Sequence, residues 1–129
     1  MSAEQPQTVE IHVPADVAFV STLRLTAASL GARCELTVDD IEDLRLAVDE
    51  ACALLLPLAR PASILDARFS LAPDQLDVHI SVEAVDEAEP DRSGFAWTVL
   101  GALASAVDVA RTGDVLTVTV TKTGAAAAR

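Results

Sequence analysis

Carboxylates dominate what this sequence offers for chemistry. Asp and Glu number 20 against 9 Lys and Arg, with two histidines and two cysteines. Glu50 has the most distinctive placement. It lies in the run Thr37 to Arg60, TVDDIEDLRLAVDEACALLLPLAR, at the flank of an apolar helix face and four residues before Leu54, hence directly beneath it on the helix surface. That flank is where any site on this helix would lie. A second acidic group, EAVDEAEPD from Glu83 to Asp91, contains a proline and no pattern that would bury anything, so an exposed acidic loop is expected there. His12 and His79 fall on separate predicted strands with no acid or thiol at ligand spacing, and no metal site is expected. Ser93 and Ser105 lack a local histidine base, and the sequence holds no GxSxG, HExxH, CxxC or P-loop.

The elements that must position these residues follow from periodicity. In Thr37 to Arg60, Ile41, Leu44, Val48, Ala51, Cys52 and Leu55 share one face at about 100° per residue. Thr37 with Asp40, or Asp39 with Glu42, can form a capping box, and Pro57 marks the end. Before it, Val9, Ile11 and Val13 alternate as a strand closed by Pro14. Asp16 can cap a helix to about Leu30 that carries Phe19, Leu23, Ala27 and Leu30 and stops at Gly31. After it, Ala67, Phe69 and Leu71, then Leu76, Val78, Ile80 and Val82, alternate around the turn APDQ as a hairpin. Phe95, Val99, Leu103 and Val107 recur at helical spacing and predict a helix from Ser93 to Val109, entered through Gly94. Gly113 and Asp114 then turn the chain into a last strand, Val115 to Thr121. This order predicts one α/β domain, a two-layer sandwich of a mixed, mostly antiparallel sheet with helices on one face. Residues 9–122 form the domain, with a flexible 1–8 and a disordered tail at 123–129.

Composition sets the limits. A chain of 129 residues suits one domain, and 51% hydrophobic with 3% aromatic demands a core of Leu, Val, Ile and Ala. No apolar run reaches the roughly 18 residues of a membrane span, and MSAEQPQ has no secretory pattern. Cys34 and Cys52 are expected as free buried thiols in a reducing cytoplasm. A net charge of −11 argues against gripping nucleic-acid phosphates and favours a basic protein partner or simple solubility.

The succession VEIHVPAD, DIEDLRLAVDEAC, GFAWTVLGALASAV and TVTVTK resembles the anti-sigma factor and serine-protein kinase family of bacterial partner-switching systems. These are GHKL, or Bergerat-fold, histidine kinase-like ATPase domains, and the resemblance spans nearly the whole chain. It implies a homodimer that binds an RNA polymerase sigma factor, and a kinase that uses ATP and Mg²⁺ to phosphorylate a serine on an anti-anti-sigma (STAS-type) partner. It implies no direct contact with nucleic acid or membrane.

The resemblance also assigns residues. Glu50 matches the family's catalytic base, and Leu54 stands where an asparagine should hold Mg²⁺. Leucine offers no oxygen to a hard cation. Asp86 stands where an aspartate should bond the adenine amino group, but EAEP follows it in place of the expected glycines. Asp86 is therefore either an adenine ligand or a solvated loop acid. Gly94 survives from the glycine box that wraps phosphates at a helix N-terminus, with Ala96 and Trp97 replacing the next small residues. It is either a phosphate contact or simply the glycine that opens the helix. Arg92 is the only cation of a shortened lid. Asp16 and Arg24 lie in the region through which the family binds its partners. These departures imply an anti-sigma factor with an impaired nucleotide site; the alternative is an active ATP-dependent serine kinase.

Overall fold

Alternation of apolar and polar residues builds the sheet, and the computed structural model, which describes residues 7–124, places five strands in it. These are β1 (Gln7–Pro14), β2 (Ile64–Ala72), β3 (Gln75–Glu83), β4 (Ala106–Thr112) and β5 (Val115–Thr123). The spatial order is β1-β2-β3-β5-β4, and each of these pairings is antiparallel, so no parallel pair enters the expected mixed sheet. Three helices cover one face: α1 (Val20–Arg33), α2 (Val38–Leu55) and α3 (Phe95–Leu103). The two-layer α/β sandwich stands as expected.

One face of the sheet and one stripe of each long helix form the core. Leu65, Phe69, Leu76, Ile80, Leu116 and Val118 meet Leu23, Leu44, Val48 and Leu55, all fully buried or within 1% of it. Each such side chain contributes about 1.5–3 kcal/mol on burial, enough for packing rather than propensity to hold the helix layer. The opposite sheet face is polar and closes its own hydrogen bonds across β3 and β5. Ser81 and Thr117 hydroxyls meet at 2.7 Å, His79 Nδ1 lies 3.0 Å from the Thr119 hydroxyl, and Thr121 donates to Asp77 at 2.7 Å.

Local chemistry accounts for the ends of the elements. Thr37 and Asp40 form the capping box of α2 reciprocally, at 3.1 and 3.2 Å. Pro57 sits inside a short 3₁₀ turn, Leu56–Leu58, that ends the helix. The β2–β3 turn pairs Pro73 with Asp74 at φ 65°, as a type II turn requires. Gly31 does not stop α1. The helix runs on to Arg33, and α2 packs tightly against Gly31, since a Cβ there would lie 3.3 Å from Ile41 Cγ1. The left-handed residue after α1 is Glu35, at φ 58°.

Three further expectations are corrected. The helix expected from Ser93 to Val109 ends at Leu103, and Ala106–Thr112 becomes the edge strand β4. Val107 fits the helical spacing, but Val107 and Val109 also alternate with Asp108, and pairing them with Val120 and Val118 satisfies the backbone of β5. Gln7 and Thr8 belong to β1 rather than to a flexible start, and Thr123 belongs to β5 rather than to a tail. The rest of both expected flexible ends, 1–6 and 125–129, lies outside the described residues.

Candidate functional site

α2 carries Glu50 and Leu54 in its last turns. Asp49, just before Glu50, accepts from Arg24 of α1 at 3.1 Å, and Ala51, just after it, is fully buried. Glu50 itself is half-buried and, among the described residues, makes no side-chain hydrogen bond or ion pair. Leu54, one turn on, is partly buried and packs against the core. Arg24, expected as an exposed partner-binding residue, is thus half-buried and committed to Asp49. Asp16 is exposed and accepts from Ala18 N at 2.9 Å, capping the 3₁₀ turn Val17–Phe19 ahead of α1.

The end of α2 is stitched to the end of β3. Arg60 N donates to Glu83 O at 2.8 Å and Val85 N to Leu58 O at 2.9 Å, which brings Asp86 beside Arg60. Arg60 Nη2 donates to Asp86 Oδ1 at 2.7 Å while Arg60 Nε lies 3.8 Å from Glu83 Oε1. The Asp86 carboxylate is 85% exposed. The connection from β3 to α3 then ends on Gly94, which occupies the N-cap of α3 without a side-chain cap. Its φ of −82° is open to any residue, so conformation does not demand glycine. A Cβ there would lie 2.8 Å from Asp91 Oδ2, the far end of an exposed side chain that can move aside, so space does not demand glycine either. Asp91 accepts from Ser93 N at 3.0 Å and from Ser93 Oγ at 2.7 Å, and these bonds hold its carboxyl below the usual range. Arg92 lies over the Trp97 ring, 5.6 Å from its centroid.

The roles that the resemblance implies for these residues would make three demands on them. The position one turn beyond Glu50 has to supply oxygen, and Leu54 supplies methyl groups packed into the core. The base-reading carboxylate has to face the ligand, and Asp86 faces solvent and Arg60. The α3 N-terminus has to receive an anion, and the Asp91 carboxylate lies against Gly94 at its mouth.

A second constellation, which the sequence pattern does not reveal, lies on the open sheet face. His12 Nδ1 meets Asp66 Oδ1 at 2.5 Å, and His12 Nε2 lies 3.6 Å from Glu10. The hydrogen bond to Asp66 raises the His12 pKa, while burial lowers that of His79. With Arg68 and Ser81 these residues line a cavity of about 300 Å³. Only the register of β1 on β2, strands about fifty residues apart in sequence, puts His12 opposite Asp66. Among the described residues no group of three or more His, Cys, Asp or Glu could hold a metal ion.

A profile of the histidine kinase-like ATPase domain matches residues 13–122. The chain is 35% identical over 82 residues to a serine-protein kinase RsbW of Halalkalibacterium halodurans, covering 63% of this chain and 51% of that one. It is 33% identical over 132 residues to an anti-sigma-F factor RsbW of Mycobacterium tuberculosis, covering 95% and 77%. The fold is similar to that of a crystal structure of RsbU and RsbW domains from Mycobacterium tuberculosis, with a TM-score of 0.68 at 17% identity over 91% of this chain and 32% of that one. The chain therefore belongs to the histidine kinase-like ATPase domain family, in the branch that holds these anti-sigma factors and serine-protein kinases. It spans about half the length of the serine-protein kinases it matches, 51% and 52%.

Proposed function

We propose that this protein is an anti-sigma factor that binds and sequesters an RNA polymerase sigma factor, with a nucleotide site too impaired to gate the binding. The observation that carries the reading is Leu54, packed against the core one turn after Glu50, in a chain related over 95% of its length to an anti-sigma factor. The scaffold of the ATPase domain is kept, while the oxygen that magnesium needs is replaced by hydrocarbon. The helix layer also leaves large apolar side chains in water, Leu25 at 64% and Leu46 at 50% exposed, where a protein partner would cover them. Asp16 and the exposed Val17 beside it extend the candidate surface at the start of α1.

In this reading the protein works as a cytoplasmic homodimer, is released by a STAS-type anti-anti-sigma protein, and contacts neither nucleic acid nor membrane. The net charge of −11 supports a protein rather than a phosphate backbone as its target. Gel filtration of the purified chain with each sigma factor of its host, without nucleotide, tests the reading. A stable complex that Mg-ATP leaves unchanged is expected; no complex with any of them sinks it.

A second reading, an active serine kinase, is favoured by one observation. Glu50 is half-buried and without a side-chain partner among the described residues, as a base awaiting a substrate hydroxyl would be. It predicts transfer of labelled phosphate from ATP to a serine of a STAS-type partner, abolished in Glu50→Ala. Absence of transfer at high protein concentration removes it.

A further inference from the structure

We infer that the segment from Ala84 to Gly94 is a clasp held shut by the chain's own arginines, so that it keeps its closed form without a nucleotide. The inference rests on the nucleotide-independent reading above and names how the site is held.

The segment is fastened at its root, its middle and its far end. At its root, Ala59 and Ala84 form a β-bridge flanked by the backbone bonds Arg60 N to Glu83 O and Val85 N to Leu58 O. In its middle, Arg60 reaches Asp86 from the end of α2, and Arg111 Nη1 reaches across from β4 to the Ala88 carbonyl at 2.7 Å. Pro90 is buried, and Asp91 ties the far end to Ser93. Arg92 closes over Trp97.

Two observations argue that these contacts act as a set. First, two of the nine Lys and Arg of the chain, Arg60 and Arg111, reach this one acidic segment from outside it, and Arg92 ties its far end to Trp97. Second, the bend at Glu87, with φ 57°, is closed inside the segment by Ala88 N donating to Val85 O at 3.2 Å, which sets the Ala88 carbonyl that Arg111 reaches. Each exposed contact alone is weak. Together they hold the segment to the end of α2 and to β4 through the protein's own hydrogen bonds, and they keep the Asp86 carboxylate on Arg60. The surface presented to a partner is then the same at every ratio of ATP to ADP.

Amide hydrogen exchange on the full chain tests this at residues 85–93, with β3 as internal standard. In the wild type, millimolar Mg-ADP is expected to leave these rates unchanged. Arg60→Met with Arg111→Met is expected to raise them about fivefold, the scale of two exposed polar contacts, with β3 unchanged. Arg45→Met, which removes a pair with Glu42 elsewhere on α2, is expected to do nothing to them. If the double variant also loosens β3, Asp86→Asn decides, because a substitution at an 85% exposed carboxylate leaves the core intact; it is expected to raise the rates at 85–88 alone. Protection of the segment by Mg-ADP in the wild type overturns the inference, as do unchanged rates in the deciding variant. Failure to capture a sigma factor with this exchange pattern intact counts against the function alone, whereas capture with nucleotide protection counts against the clasp alone.

Discussion

Lys122 Nζ donates to the carbonyl of Leu103 at 2.8 Å and lies 3.4 Å from Asp43 Oδ2. One lysine on the last strand thereby ties the C-terminal end of α3 to α2. Its row on β5 is otherwise the core row of Leu116, Val118 and Val120, and its side chain is only 12% exposed. Its positive charge also suits the negative end of α3. Lys122→Met keeps the apolar stem and removes the charged donor. We expect it to cost about 1.5–3 kcal/mol, the value of a hydrogen bond to a charged group, measured by urea denaturation. A variant as stable as the wild type would show that the strut contributes nothing.

The two histidines on the open sheet face should titrate on opposite sides of 6.5. His12 is raised by its hydrogen bond to Asp66 and by the Glu10 charge. A raised folded pKa contributes stability that is complete below 6.5 and is lost as pH rises through the folded value. His79 is lowered by burial and by Arg68. Its contribution is complete above 6.5 and is lost as pH falls through its own folded value. Ring-proton NMR titration should give the higher midpoint to His12, and Asp66→Asn should bring that midpoint down while His79 stays low. Coincident midpoints would contradict the geometry.

Neither thiol should react in the folded protein. Cys34 and Cys52 are each 1% exposed, and burial pushes the Cys52 thiol up to about 12 and that of Cys34 above its ordinary value. At neutral pH almost no thiolate forms, and the thiolate is the nucleophile. A thiol-reactive chromophore is expected to label two groups in denaturant and none, over the same minutes, in buffer. Fast labelling of Cys52 in buffer would mean that α2 opens locally.

The layer architecture was legible in the sequence because one-face burial leaves a period in each element. Leu44, Val48 and Leu55 marked the buried stripe of α2, and Leu76, Val78, Ile80 and Val82 the core face of β3. The capping box at Thr37 was readable because it is local. β4 was missed because Phe95, Val99, Leu103 and Val107 continue a helical period through a helix end that only the exposed edge of β5 explains. At the site, Glu50 and Leu54 were one turn apart on any reading. The pairing of Arg60 with Asp86 and the reach of Arg111 to Ala88 were not legible, because each joins elements that tertiary packing alone brings together. The same holds for the bond from Arg24 to Asp49, which joins α1 to α2.

Leu54→Asn separates a missing ligand from a site that has closed around its absence. Leu54 is partly buried against the core, so replacing it with an amide removes apolar contact worth about 1 kcal/mol and leaves the amide to water at the flank of α2. If magnesium coordination were all that the chain lacked, the variant would bind Mg-ATP and regain stability as RT ln(1 + [L]/Kd), about 2.7 kcal/mol at a hundredfold excess over Kd. With Asp86 held by Arg60 and the Asp91 carboxylate against Gly94, no such recovery is expected. Thermal unfolding of the variant with and without millimolar Mg-ATP decides between them. A lowered Tm that nucleotide leaves unchanged agrees with a site lost at several places, whereas recovery towards the wild-type Tm would mean that one side chain at position 54 had silenced an otherwise intact site.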